Sequence, residues 1–258
     1  MKLMAPVSRE RRTLLGVAFF VVFLAVWQLL TASGLVPKHF LASPWQTLVS
    51  AWDLFATQGF AVDVGMTIWR VVGGFVLAAV IAVPLGIAMG TYRPVEAFFE
   101  PFVSFARYLP ASAFVPLLIL WVGIGETQKL AVIFIGCFFQ LTLMIAMIVS
   151  GTRRDLVEAA YTLGCKDSGV IRRVVLPGAA PDIAEALRQV LGLGWTYIIV
   201  AELIGASSGI GRMITDSQAL MATDHIIAGI VVIGLVGLIS DIAFKLVNQR
   251  LFAWSLQR

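Results

Sequence analysis

Long apolar segments constrain the possible folds of this chain more than any other feature of its sequence. We predict that residues 14–30, 71–89, 102–122, 130–149, 190–206 and 226–244 cross a membrane. Each segment is near the ~20 residues that an α-helix needs to span the hydrocarbon core. The apolar stretches are continuous rather than alternating, so helices are expected instead of barrel strands. The predicted fold class is therefore an all-α, polytopic membrane protein with six transmembrane helices.

The composition agrees with a membrane location. Hydrophobic residues make up 59% of the 258 residues, and charged residues only 13%. Soluble domains carry about 25% charged residues. The net charge of +4 is spread beside the apolar segments rather than gathered in one patch, so we expect contact with membrane lipid and no nucleic-acid partner. Two cysteines, Cys137 and Cys165, do not suggest a disulfide framework.

The distribution of Lys and Arg predicts the orientation, because cytoplasmic loops are enriched in both. Among the connections between spans, the segment 150–189 contains the most Lys and Arg, and the residues before the first span are also basic. Both termini and the segment 151–181 are therefore predicted to be cytoplasmic. The prediction is one membrane domain over 1–258, with tails 1–13 and 246–258 and spans within 14–150 and 182–245. The basic residues of segment 150–189 are Arg153, Arg154, Lys166, Arg172, Arg173 and Arg188.

Residues 31–70 are predicted to lie outside, with Arg70 at their end. Within them, Ser43 and Pro44 predict the start of a short interfacial helix, because serine caps helices and proline suits the first helical position. The first apolar segment, 14–30, follows three arginines and so has one property of a signal peptide. Its apolar run is longer than the usual 7–15 residues of such signals, which favours an uncleaved span.

The basic segment contains a spaced pattern that predicts two short helices. Asp155 is expected to cap the first helix, with Glu158 three residues later as in a capping box. Gly164 is expected to end that helix in a left-handed conformation. A second helix is predicted to begin at residue 167 or 168, and Pro177 to stop it. Two helices with a glycine corner would move as a rigid unit.

This pattern resembles the signature of the inner-membrane permease subunits of binding-protein-dependent ABC importers. The signature consists of Glu158-Ala159-Ala160, Gly164 after three residues, an aliphatic residue after nine more, and Leu176-Pro177 after one more. Val174 stands where the family usually has isoleucine. Further stretches resemble the taurine, alkanesulfonate and nitrate branch, and they are residues 118–126, 194–202, Gly209-Ile210-Gly211 and Trp254.

The resemblance implies a function, a fold and a set of partners. It implies the fold of a type I ABC importer permease, in a bacterial inner membrane, that moves a small polar, anionic solute by alternating access. Two permease copies would form one pathway, with two cytoplasmic ATPases below and a solute-binding protein outside. ATP and Mg would bind to the ATPases, so no cofactor is expected in this chain. The glycine-cornered segment would be the coupling helix, with ATPase contacts at Glu158, Ala159, Ala160 and Gly164. Leu176 and Pro177 would complete this ATPase-coupling set by fixing the return of the chain into the membrane.

Polar and aromatic residues within the predicted spans are candidates for the translocation pathway. Glu202 lies in the fifth span, where an ionisable group is costly and so a functional candidate. It could line a cavity or form a structural partner to a neighbouring helix, and the sequence leaves both open. Gln140 could contact solute or join helices by hydrogen bonding. Trp195 and Tyr197 could line a path or pack between helices.

Other functional classes find less support in the sequence. An ion-gradient-driven secondary transporter is the alternative, but it would need internal repeats or paired charges mid-membrane. The sequence contains no G-x-x-x-x-G-K-[ST] motif for nucleotide phosphates. No spacing suggests a metal site or a Ser-His-Asp arrangement. We therefore predict a transport subunit without catalytic activity of its own.

Overall fold

The computed structural model describes residues 8–37 and 40–254, and these ranges are helical with no strand. Residues 1–7 and 255–258 of the predicted tails lie outside the described residues. The helices are α1 (Arg9–Ala32), α2 (Pro44–Thr57), α3 (Phe60–Thr91), α4 (Arg93–Ala106), α5 (Val115–Val122), α6 (Glu126–Ser150), α7 (Arg154–Thr162), α8 (Asp167–Val170), α9 (Leu176–Leu203), α10 (Ile210–Ala219) and α11 (Thr223–Leu251). A 3-10 turn, Ala111–Phe114, precedes α5, and a π-helical turn, Ile171–Val175, joins α8 to α9.

The number of membrane-crossing helices agrees with the prediction once one broken span is counted. Within the described residues, five helices are long and apolar enough to cross a membrane, and a bent pair of helices makes a sixth. Three predicted spans are longer at both ends in the structure, and the predicted span 190–206 begins earlier, at Leu176, and ends at Leu203. They correspond to α1, α6, α9 and α11.

The third predicted span, residues 102–122, is not a single helix in the structure. The chain instead forms α4 and then Ala111–Val122, and the two directions differ by 85°. We call residues 107–110 the elbow. Pro110 has φ −67° and ψ 122°, which leaves the helical region and prevents α4 from continuing.

The second span begins earlier than predicted. The helix α3 starts at Phe60 rather than at residue 71, and it runs for 32 residues. Arg70, which was predicted to lie in an outer loop, is therefore part of this helix and is fully buried. A buried arginine requires partners of opposite charge, and those partners are distant in the sequence.

The described helices group into two compact units. The first contains α1, α2 and residues 213–231. Here α2 has the predicted start, because Ser43 Oγ accepts from the Gln46 amide (3.2 Å) and Gln46 Oε1 accepts from the Ser43 amide (3.0 Å). Trp27 Nε1 donates to the Ala42 carbonyl (3.0 Å) and so ties α1 to the residues before α2. The remaining side chains of α1 are largely exposed, as expected for a lipid-facing helix.

The second unit contains residues 61–212 and 232–254, and its core lies where α6 packs against α3 and α9. The contact between α3 and α6 is close because glycines line it. A Cβ atom added to Gly86 would lie 2.8 Å from the Ile145 Cβ, and one added to Gly90 would lie 2.6 Å from the Ala146 carbonyl oxygen. Small residues at helix interfaces allow such approach.

Candidate functional site

The segment predicted to couple to an ATPase, residues 154–177, is a helix followed by a sharp corner. In this coupling segment α7 ends at Thr162, Leu163 is its C-cap residue, and Gly164 follows with φ +82°. The Gly164 amide donates to the Tyr161 carbonyl (2.9 Å), and the Cys165 amide donates to the Ala160 carbonyl (3.0 Å). This pair of bonds is the Schellman motif, which satisfies carbonyls at a helix end. The corner predicted at Gly164 is confirmed.

The start of α7 differs from the prediction. The helix begins at Arg154, and its N-cap residue Arg153 makes no side-chain capping bond. Asp155 therefore lies in the first turn, where it accepts from Arg153 Nε (3.1 Å). The hydrogen bond from that guanidinium holds the pKa of the Asp155 carboxyl below its ordinary value. The predicted capping box with Glu158 is absent because the helix starts two residues earlier than an N-cap at Asp155 would require.

The signature residues on α7 divide between two faces. Glu158 and Ala159 are exposed, whereas Ala160 is buried and belongs to the core. Leu163, beside the corner, is 84% exposed. The apolar residues of this segment therefore do not form one surface, because Ala160 packs on the helical core and Leu163 remains open. The open face offers a carboxylate next to exposed aliphatic groups.

The coupling segment continues into α9 without a break, so the prediction that Pro177 stops a helix was wrong. The chain is helical from Asp167 to Leu203, with the π-helical turn just before Leu176. Pro177 lies in the first turn of α9, where its missing amide proton is tolerated. A π-helical turn changes the local hydrogen-bond pattern, which allows the proline to remain within the helical path. Leu176 is half-buried and Pro177 is exposed.

A buried ionic network surrounds Glu202. Arg70 donates all five of its N–H groups: two to Glu126, one to Glu202 and two to Ser208, at 2.6 to 3.0 Å. Both oxygens of Glu202 accept from Thr67 Oγ1 (3.0 and 3.1 Å). A guanidinium has five donors in a fixed fork, so Arg70 is completely paired.

The same network holds the connection that follows α9. The Gly209 amide donates to Asp63 Oδ1 (2.6 Å), and the Gly211 amide donates to Glu202 Oε2 (2.8 Å). A Cβ atom on Gly209 would lie 2.5 Å from Glu202 Oε1, and one on Gly211 would lie 2.5 Å from Glu202 Cβ. The glycines of this connection therefore leave room for the carboxylate. Glu202 is 1% exposed.

The four candidates for the pathway do not lie together. Trp195 is buried, and its Nε1 donates to Ser240 Oγ (2.9 Å). Tyr197 and Gln140 line one cavity of about 290 Å³, which extends to the elbow. Glu202 and Trp195 are not among the residues that line that cavity. The structure thus brings Gln140 and Tyr197 together and gives Trp195 and Glu202 packing partners.

Comparison with known proteins decides the family. The family described as "Binding-protein-dependent transport system inner membrane component" matches residues 82–253. The chain belongs to this family. It is therefore the membrane-spanning permease subunit of an ABC importer, a transport component rather than an enzyme. Family membership implies a separate ATPase and a solute-binding protein as partners, and it does not favour an ion-gradient-driven transporter.

Named relatives cover nearly the whole permease. It is 32% identical to the taurine transport system permease protein TauC of Escherichia coli over 96% of this chain and 92% of the relative. It is 31% identical to the putative aliphatic sulfonates transport permease protein SsuC of Bacillus subtilis, over 93% of this chain and 87% of the relative. It is 27% identical to the nitrate import permease protein NrtB of Leptolyngbya laminosa, over 91% and 86%.

Solved structures share the fold of the permease. The MetNI methionine ABC transporter in an inward-facing conformation matches with a TM-score of 0.61 at 19% identity, over 80% of this chain and 96% of that chain. An amino acid ABC transporter with histidines matches with a TM-score of 0.66 at 16% identity, over 76% of this chain and 96% of that chain. The predicted type I importer fold is confirmed by these similarities.

The polar residues of α3 that belong to the network around Glu202 were missed at the level of sequence. Asp63, Thr67 and Arg70 occupy one face of α3 because their spacing of four and three residues follows the helical repeat. That spacing was available in the sequence, but the predicted span began one residue after Arg70. A longer second span would have placed three polar side chains on a buried face of the permease and indicated a partner such as Glu202.

Proposed function

We propose that this permease imports a small anionic solute of the sulfonate, taurine or nitrate type. The support is the naming of its relatives, which are taurine, aliphatic sulfonate and nitrate permeases at 27 to 32% identity. The mechanism is alternating access, in which two packings of the helices open a central cavity to one side at a time. ATP and Mg bind to the ATPase partners.

The coupling segment is the part of this chain that engages the ATPase. The observation that carries this proposal is its geometry: Glu158 and Ala159 are exposed on α7, and the corner at Gly164 connects them to a helical path that continues to Leu203. A displacement of α7 would thus be transmitted to α9 through hydrogen-bonded backbone. Ala160 packs on the core, while Leu176 and Pro177 begin the spanning helix.

The assembled importer contains two copies of this chain, two ATPases and one external solute-binding protein. Both termini and the coupling segment face the cytoplasm, as the Lys and Arg of residues 150–189 favour. The chain acts as one membrane domain. The mass of the purified complex measures its stoichiometry, and the reactivity of engineered surface cysteines with an impermeant thiol reagent measures the orientation.

Uptake into liposomes tests the function. The complete importer is reconstituted with its binding protein, and uptake of taurine, a short alkanesulfonate and nitrate is measured with internal ATP. We expect at least one of these anions to enter, only with ATP, and without dependence on an ion gradient. Failure of all three would reject the substrate class, and uptake driven by a proton or sodium gradient without ATP would reject the importer mechanism.

Co-purification tests the coupling segment. Glu158→Lys reverses the charge on the exposed face, and we expect it to reduce recovery of the ATPase with the tagged permease while insertion into the membrane remains normal. Glu10→Lys makes the same charge change on α1 and should recover the ATPase like the wild type. Equal recovery with Glu158→Lys and the wild type, together with normal uptake, would contradict the assignment of α7.

A further inference from the structure

We propose that the cavity at the elbow binds the anionic group of the transported solute within the permease itself, with Arg107 as the cation. This inference rests on the proposed import of an anion and adds a binding site in the membrane-spanning chain. The elbow brings together the end of α4, the 3-10 turn, α6 and α9 around a cavity of about 290 Å³.

The charge of the cavity favours an anion. Arg107 is its charged lining residue, and no carboxylate lines it. Arg107 also borders a second cavity of about 660 Å³, where Arg93 is accompanied by Glu96 and Glu100. Two arginines and two glutamates share the lining of that second cavity, and Arg93 pairs with Glu96 at 2.6 Å. Of the two cavities that Arg107 borders, the one at the elbow has no carboxylate in its lining.

Polar groups with free hydrogen-bonding capacity complete the site. Ser112, Gln140 and Tyr197 line the same cavity, and among the described residues none of their side chains has a hydrogen-bond partner. A hydroxyl or amide can donate to an oxyanion, and an arginine can donate two parallel bonds to it. Sulfonate and nitrate each present three oxygens, so several donors converging from different helices suit either group.

Two side chains of the site are held in place. Arg107 Nη2 donates to the Tyr108 hydroxyl (2.7 Å), and the Arg107 Cζ lies 4.7 Å from the centre of the Tyr108 ring. The Tyr197 ring rests on Gly136, where an added Cβ would lie only 2.4 Å from the ring. Preorganised donors bind an anion at a lower entropic cost than mobile ones.

The position of the elbow within the third span supports a water-filled cavity. Gln140 lies near the middle of α6, and the elbow interrupts the third span at the same cavity. Non-helical backbone at membrane depth is tolerated only where protein buries it or a water-filled cavity adjoins it. In a polar cavity beside a broken helix, a solute could therefore replace its hydrogen bonds to water with hydrogen bonds from protein donors.

Uptake by variants of the complete importer tests the site. Arg107→Gln removes the charge and keeps hydrogen-bonding capacity, and we expect uptake of taurine, the alkanesulfonate and nitrate to fall at least tenfold. Arg107→Lys keeps the charge and should recover most of that loss. Arg93→Gln, the same change at the start of α4, should remain within twofold of the wild type. The amount of permease in each liposome preparation is matched before comparison.

The outcomes separate this inference from the proposed function. If the wild type imports an anion and Arg107→Gln imports it within twofold of the wild type, the site is rejected while the proposed function stands. If Arg93→Gln loses as much uptake as Arg107→Gln, a site specific to Arg107 is also rejected. If no anion enters with the wild type, both fail. If the importer with Arg107→Gln does not assemble, Gln140→Leu provides the same test. We expect Gln140→Leu to lower uptake at least threefold. Unchanged uptake by this variant would again reject the site.

Discussion

Arg70 and Glu202 form an ion pair in which both side chains are completely shielded from solvent. Arg70 Nη1 lies 2.7 Å from Glu202 Oε1, and both side chains are 0% exposed. The two residues are 132 positions apart in the chain. They join the middle of α3 to the end of α9, and Glu126 at the start of α6 shares the same guanidinium. Three spanning helices thus meet at one buried arginine.

Replacement of Arg70 should lower the free energy of unfolding strongly. Arg70→Met leaves Glu202 buried without a counter-charge, and removing one partner of a buried pair costs about 3–5 kcal/mol. Glu202→Gln should cost less, because Arg70 retains Glu126 and the amide can still accept from Thr67. Denaturant unfolding of the purified chain in detergent measures both. Arg93→Met, at a pair in which Arg93 is 78% exposed, is the control and should change stability by at most about 1 kcal/mol. Similar losses for Arg70→Met and Arg93→Met would contradict the structure.

The corner of the coupling segment should require glycine at position 164. An added Cβ at Gly164 would have no atom within 4 Å, but its φ is +82°, so the penalty is conformational. A left-handed conformation costs roughly 1–2 kcal/mol for other residues, which corresponds to about a 5–30-fold change in population. Gly164→Ala is therefore expected to lower uptake per ATP hydrolysed in reconstituted importer.

A second glycine provides the control for that experiment. Gly178 lies in α9 and also has no atom within 4 Å of an added Cβ, but its φ is not positive. Gly178→Ala should therefore keep the ratio of uptake to ATP hydrolysis. An unchanged ratio for Gly164→Ala would show that the left-handed corner is not needed for coupling.

The close contact between α3 and α6 should not tolerate a larger residue at position 86. A Cβ on Gly86 would lie 2.8 Å from both the Ile145 Cβ and the Thr142 carbonyl oxygen. Overpacking of this kind costs about 1–3 kcal/mol. Gly86→Ala should lower the unfolding temperature in detergent, whereas Gly192→Ala in α9, with open space around an added Cβ, should not. A Gly86→Ala variant as stable as the wild type would mean that the helices are further apart.

Trp195 is expected to serve the packing of α9 against α11. Its Nε1 donates to Ser240 Oγ at 2.9 Å, and the indole is 7% exposed. In a double-mutant cycle, Trp195→Phe and Ser240→Ala should be coupled by about 0.5–1.5 kcal/mol in unfolding free energy, because each removes the same hydrogen bond. Strict additivity would indicate that this bond contributes nothing to stability.

The spans could be predicted from the sequence because each is a continuous apolar run, and hydropathy depends on local composition. The glycine corner was predictable for a similar reason, since Gly164 alone can adopt its conformation cheaply. The elbow could not be predicted in this way, because both halves of residues 102–122 are apolar. Pro110 allows a helix to bend or to break, and only packing against α6 and α9 selects the 85° change of direction.

The sequence by itself determined the membrane class, the helical fold, the family resemblance and the position of the coupling corner, all of which depend on hydropathy, backbone conformation and a local motif. The tertiary structure decided that Arg70 belongs inside a helix and pairs with Glu202, and that Gln140, Tyr197 and Arg107 surround one cavity. These relationships join residues far apart in the chain. They depend on how helices are placed side by side, and no local pattern fixes the partner that a buried charge will find.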